Sequence, residues 1–168
     1  LNKVRQQTAK HLTRAWQSIP HVLQTVEADF GAVSAVRAAR KRDFEQQHGT
    51  GLSFLPFIAR AICLAIRQWP KVNASIDGNE LLVAQEINLG IAVDLGHEGL
   101  VVPVLKNADR LNVAGLATGI ARLVETARAG KLRPDDLEGG TYSISNNGSF
   151  GTLFTAPIIN APQVAILS

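Results

Sequence analysis

Three hydroxyls at alternate positions, Thr141, Ser143 and Ser145, are the residues whose type and spacing best suit chemistry in this sequence. Tyr142 and Ile144 lie between them, so 141–145 reads as a strand with one hydroxyl and one apolar face, the period of two that a pleated backbone imposes. The strand runs into Asn146-Asn147-Gly148, a turn-rich stretch where positive φ is cheap. A sheet fixes the backbone of a residue at a strand end. The Ser145 hydroxyl is then a rigid donor, suited to negative charge that develops on an oxygen during a reaction. A strand that ends in an ordinary loop is the plainer account of the same pattern.

Other catalytic signatures are sparse. There is no Gly-Lys-Ser/Thr phosphate loop, no dinucleotide fingerprint after a strand and no Cys/His set at zinc spacing, so no metal is expected. His11, His21, His48 and His97 stand in no local metal or triad signature and read as structural or surface residues. The basic cluster Arg37, Arg40, Lys41 and Arg42 reads as a solvated helix face, with a phosphate-binding surface as the sharper alternative.

The elements that must position Ser145 follow from composition and periodicity. The 168 residues suffice for one domain with a sizeable core, and 46% apolar against 18% charged residues is a globular balance. A formal charge of +3 is too small an excess to argue for nucleic acid. A single cysteine excludes an internal disulfide and fits a reducing compartment; Cys63 sits in an apolar helical run and reads as core filling. No apolar run reaches membrane-spanning length, and no signal-peptide pattern is present.

Residues 2–17 read as a helix with a weak stripe of Val4, Thr8, Leu12 and Ala15/Trp16, ended by Pro20. Residues 21–28 alternate well enough for a strand, and 31–47 return to helix with Val33, Val36 and Phe44 inward. Ser53 is the expected N-cap of a central helix, mostly buried, whose stripe includes Phe57, Ile58, Ile62, Ile66 and Trp69. Asp77-Gly78-Asn79 is a hairpin turn between strands at 73–77 and 80–85. The apolar runs 87–94 and 99–105 have strand length and suggest burial on both faces, with Gly96-His97-Glu98-Gly99 between them. Pro103 places its strand at an edge or a bulge. Asn112 caps a last helix with Leu116, Ile120, Leu123 and Ala127 inward, ended by Gly130 and Lys131.

In order along the chain stand Pro20-His21, the Leu52-Ser53-Phe54-Leu55-Pro56-Phe57 helix start, Pro70-x-x-Asn73-Ala74-Ser75, Asn88-Leu89-Gly90-Ile91-Ala92-Val93-Asp94, Gly99-Leu100-Val101-Val102-Pro103-Val104, Asp136-Leu137-x-Gly139-Gly140-Thr141, and Ser145-Asn146 through Pro157-Ile158-Ile159-Asn160. This ordered set resembles the catalytic domain of the dihydrolipoamide acyltransferases, the E2 component of 2-oxo acid dehydrogenase complexes, over essentially the whole of residues 1–168. The resemblance implies an α/β (α+β) fold like chloramphenicol acetyltransferase, a mixed sheet flanked by helices. It also implies homotrimers with active sites between subunits, assembled into a larger core that works with the E1 and E3 components, without nucleic acid or membrane. The location it implies is cytoplasmic in a bacterium and the mitochondrial matrix in a eukaryote.

The implied reaction transfers an acyl group from S-acyl-dihydrolipoyl to the thiol of coenzyme A. A histidine near the family's C-terminus takes the thiol proton, and a serine or threonine from the neighbouring subunit stabilises the oxyanion. The hydroxyl that matches here is Ser145, and Leu167 falls in the segment that lines the substrate channel. The sequence departs from the pattern at its end: no His-x-x-x-Asp occurs, and the expectation is that the base lies in a C-terminal segment beyond Ser168. Lipoyl and peripheral-subunit-binding domains are likewise expected on the parent chain, outside these residues. Two readings follow, an acyltransferase whose base lies beyond these residues, or an assembly fragment without turnover. The wording of Ser149-Phe150-Gly151 and Pro157-Ile158-Ile159-Asn160 leans towards a succinyl or branched-chain acyl group over acetyl.

Overall fold

Two helices packed on one face of a mixed sheet carry the core. The computed structural model describes residues 2–96, 99–148 and 151–168. Its elements are α1 (Lys3–Ser18), α2 (Gly31–His48), α3 (Leu55–Gln68), β1 (Ala74–Asp77), β2 (Glu80–Val83), β3 (Leu89–Ile91), β4 (Val93–Asp94), β5 (Leu100–Val101), β6 (Val104–Leu105), α4 (Val113–Arg128), β7 (Tyr142–Ile144) and β8 (Ile166–Leu167).

The main sheet runs β6-β3-β7-β8, with β6 antiparallel to β3 and the other pairs parallel. The α4 crossover returns the chain so that β7 lies parallel to β3, which a tight turn cannot do. Residues 87–91 are all buried, as the unbroken apolar run implied. Leu89, Ile91 and Ile144 point towards Ile62, Cys63 and Ile66 of α3 and Leu116, Ile120 and Leu123 of α4. On the other face, a Cβ at Gly90 would stand 2.9 Å from Val102 Cγ1 and 3.0 Å from Ser143 Oγ, so close packing requires glycine there. Pro103 has no N–H to donate, and it separates β5 from β6, which forms the edge of the main sheet. Its carbonyl still accepts from Ile91 N (2.9 Å).

The last helix follows the sequence reading closely. Asn112 accepts from Gly115 N (2.8 Å), and the inward residues are the expected ones. Gly130 at φ 66 closes the helix, with Gly130 N bonded to Ala127 O and Lys131 N to Thr126 O. Gly78 at φ 57 turns the β1–β2 hairpin, as Asp77-Gly78-Asn79 implied. Cys63 is fully buried.

Four expectations are corrected. Residues 21–28 form no strand and pair with no described strand, and Val22 and Val26 are 80% and 89% exposed. Helix α2 buries no residue completely, and Val36 points outward; Arg37 instead packs inward, donating to Leu52 O (2.8 Å) and lying 4.7 Å from the Phe54 ring centre. Ser53 does not cap α3: Phe54 holds that place with backbone angles already helical, and Pro56 lowers the number of free N–H groups that need a cap. Helix α3 buries one side only, since α4 covers Ala59, Ile62, Cys63 and Ile66 and leaves Leu64 and Trp69 exposed. The turn expectation at His97 and Glu98, and any reading of Ser149 and Phe150, lie outside the described residues.

Candidate active site

Ser145 stands one residue past the end of β7, and its N–H donates to Leu167 O (2.8 Å). That bond continues the parallel β7–β8 ladder and fixes the serine backbone against β8. Both residues line a cleft of about 440 Å³. One wall is the extended segment around Leu23 and Val26, the floor includes Leu55 and Ile58 of α3, and residues 146–148 and 152–155 with Pro157 line another side. The structure therefore places Ser145 and Leu167 side by side in one cleft. Among the described residues that line the cleft none is charged, so a developing oxyanion there would be held by neutral donors.

Three residues to which sequence reasoning gave no site role form a polar cluster, and one of them, Asn147, reaches the Ser145 hydroxyl. Asn147 Nδ2 faces Ser168 Oγ (2.8 Å), Thr155 Oγ1 (3.1 Å) and Ser145 Oγ (3.4 Å), and the Thr155 and Ser168 hydroxyls are 2.8 Å apart. The amide has two hydrogens for three oxygens, so the longest contact, to Ser145, is a shared and weak one. Accepting from an N–H still leaves the serine its own hydrogen to give to a substrate oxygen. Asn147 was legible only as a turn residue; nothing in the sequence placed Thr155 or Ser168 beside it.

Ser143 has a different fate. It is buried and donates to Gln163 Oε1 (2.7 Å), so its hydrogen is already used. Thr141 accepts from Asn88 N (3.0 Å), while Asn88 itself holds Gly139 O and Asn107 N. These two hydroxyls hold the sheet and its loops together. Burial raises the Tyr142 phenol above its ordinary range and keeps it protonated.

No described histidine lines the cleft. The rings of His48 and Phe44 pack together (4.4 Å), and His11 Nε2 bonds Asn160 Oδ1 (2.9 Å). The ring of His21 is held at both nitrogens, by Ile19 O (2.8 Å) and by Ile159 N (3.0 Å). Neither His21 nitrogen is free to take a proton from a thiol. Among the described residues no group of three or more His, Cys, Asp or Glu is arranged to hold a metal ion, and no helix is long and apolar enough to cross a membrane.

A mixed sheet with helices packed on it, ending in a hydroxyl-bearing cleft, is the architecture of the chloramphenicol acetyltransferase-like acyltransferase cores. Residues 1–168 match the family of 2-oxoacid dehydrogenases acyltransferase catalytic domains, and the chain belongs to it. The dihydrolipoyllysine-residue succinyltransferase component of the 2-oxoglutarate dehydrogenase complex of Bartonella vinsonii subsp. berkhoffii is 41% identical over 167 residues, 99% of this chain and 40% of that protein. The chain thus spans about two fifths of that relative's length. The dihydrolipoamide acetyltransferase of Azotobacter vinelandii, solved in work on a serine, a histidine and an asparagine in its catalytic mechanism, superposes with a TM-score of 0.95 at 36% identity, covering 99% of this chain and 68% of that one. The cubic core of a pyruvate dehydrogenase multienzyme complex gives a TM-score of 0.95 at 35% identity, with the same coverage.

Proposed function

We propose that this chain is the acyl-transfer domain of an E2 component, moving an acyl group from S-acyl-dihydrolipoyl to coenzyme A. The observation that carries the reading is the Ser145 hydroxyl just past the end of β7, backbone-locked to Leu167 inside an uncharged cleft. The coenzyme A thiolate adds to the thioester carbonyl, and the negative charge moves onto the carbonyl oxygen. Ser145 donates to that oxygen. Collapse of the tetrahedral intermediate re-forms the carbonyl and breaks the bond to the dihydrolipoyl sulfur, which leaves as a thiol with the proton first taken from coenzyme A. Leu167 lines the channel by which the thiols approach.

The proton carrier is the histidine that the family resemblance implies, reaching Ser145 across a subunit boundary, in keeping with His21 being held at both nitrogens and no described histidine lining the cleft. The serine, histidine and asparagine studied in the Azotobacter enzyme support a site of this composition. The functional unit is a homotrimer with the site between subunits, built into a larger core and served by a lipoyl group on a separate domain and by E1 and E3 components; the resemblance to a cubic core supports the assembly. The location is the cytoplasm in a bacterium or the mitochondrial matrix in a eukaryote.

A hydrogen bond that strengthens as charge reaches oxygen lowers the barrier more than it tightens substrate. In the full parent chain Ser145→Ala should lower kcat by about two to three orders of magnitude, roughly 2.7–4 kcal/mol, with little change in KM. Ser143→Ala should cost stability and spare kcat, since its hydroxyl is spent on buried Gln163. Wild-type kcat in folded Ser145→Ala protein rejects the oxyanion role.

A further inference from the structure

We propose that His21 is a positioning residue that latches the outer wall of the Ser145 cleft to the sheet. A backbone N–H can only donate, so His21 Nε2 accepts from Ile159 N (3.0 Å) and the ring hydrogen sits on Nδ1, facing Ile19 O (2.8 Å). One tautomer satisfies both contacts. Trp16 packs on the ring with centres 4.8 Å apart.

The latch joins points 138 residues apart, and each side of it leads into the cleft. Leu23 and Val26 follow His21 along one wall; Pro157, two residues before Ile159, belongs to the other. The wall that His21 holds is otherwise lightly restrained. Residues 22–30 are all exposed and lie in no strand, so side-chain contacts rather than a ladder of backbone bonds set their position.

The far side of the latch is anchored. His11 Nε2 bonds Asn160 Oδ1 (2.9 Å), Asn160 Nδ2 reaches Ser143 Oγ (3.5 Å), and Ser143 donates to buried Gln163 (2.7 Å). Through Ile159 and Asn160 the wall is therefore referred to β7, the strand that carries Ser145.

This role rests on the acyl-transfer reading of the cleft. A wall held at a fixed distance orients the thioester and keeps water from it. A wall set free weakens that binding and lets water compete with the thiol. Water then adds to the acyl carbon, the carbon–sulfur bond breaks, and the products are a free carboxylic acid and the dihydrolipoyl thiol, with water's second hydrogen on sulfur.

The test uses the full parent chain with acyl-dihydrolipoamide as the probe. His21→Phe keeps a ring against Trp16 and removes both hydrogen bonds; His21→Gln can still accept from Ile159 N–H. For His21→Phe we expect KM for acyl-dihydrolipoamide to rise about fivefold to tenfold, the size of one or two net hydrogen bonds. The free acid released per transfer should rise several-fold, while kcat stays near wild type. His21→Gln should restore most of both. Amide exchange at Ile159, whose N–H donates to His21, followed by mass spectrometry, should quicken in His21→Phe and recover in His21→Gln. Unchanged KM, acid release and exchange in folded His21→Phe protein overturn the latch. So does a fall in kcat alone, which would mark His21 as a base. The exchange experiment reads the latch without catalysis, so a failure of Ser145→Ala to affect kcat would sink the acyl-transfer reading separately.

Discussion

At the scale of single residues, hydroxyls of one type two positions apart have opposite uses. Ser143 gives its hydrogen to Gln163, twenty residues on, whereas Ser145 accepts weakly from Asn147 and keeps its own. Alternation along 141–145 revealed three candidate hydroxyls, but Gln163, the partner that uses up the Ser143 hydrogen, lies twenty residues along the chain. Cys63 was legible because burial needs only an apolar run around it. Its thiol, enclosed between α3, α4 and the sheet and facing Asp109, is pushed up from 9.0 to about 11, with burial the larger cause. The folded state thus favours the neutral thiol. Its contribution to stability is complete below the unfolded value near 9 and is lost as pH rises through about 11. At ~1.4 kcal/mol for each pH unit of difference, that is on the order of 3 kcal/mol. Urea midpoints measured from about pH 8 to about pH 11 should fall more steeply in the wild type than in Cys63→Ala. Parallel slopes would show that the thiol is not held neutral by the fold.

At the scale of elements, α4 and α2 mark the limits of periodicity. Helix α4 carries its own start, stripe and stop: Asn112, then Leu116, Ile120, Leu123 and Ala127, then Gly130. Each signal acts within a few residues, so the sequence alone located it. The Asn112 side chain satisfies an end N–H that would otherwise have no partner within the helix. Asn112→Ala should therefore lower stability by about 1 kcal/mol, and Asn112→Ser, which can cap, should recover most of it. Equal thermal midpoints for wild type and Asn112→Ala would show that water serves the helix end as well. Helix α2 and residues 21–28 have patterns of the right period, yet among the described residues α2 buries no side chain completely and 22–28 stay exposed. A pattern shows that a face is apolar; the element that covers it is a tertiary fact, and for α3 only half the stripe found one.

At the scale of the whole molecule, the surface left by α3 points beyond a single chain. Leu64 and Trp69 are 48% and 62% exposed, and one face of the β1–β2 hairpin presents Ile76 at 63% beside its cross-strand partner Leu81 at 44%. The short turn Pro70–Val72 joins α3 to this hairpin, so the exposed apolar residues lie on neighbouring elements. A surface of this kind costs free energy in water at roughly 25 cal/mol for each Å² and is normally covered. The likeness to a cubic multienzyme core supplies the cover that we propose, further copies of this domain. The apolar stripe that a single chain leaves half exposed on α3 is then buried by association, which explains why the sequence reads α3 as more buried than it is. Analytical ultracentrifugation of the parent chain should give a trimer or a multiple of three. Leu64→Glu and Leu81→Glu place a charge on that surface and should lower the sedimentation coefficient while the circular dichroism of the fold is kept. Transfer activity should fall with the assembly, because the proposed base reaches Ser145 from a neighbouring subunit. A monomer that retains full transfer would remove the subunit boundary from the site, and an assembly unmoved by either glutamate would place the interface on another face.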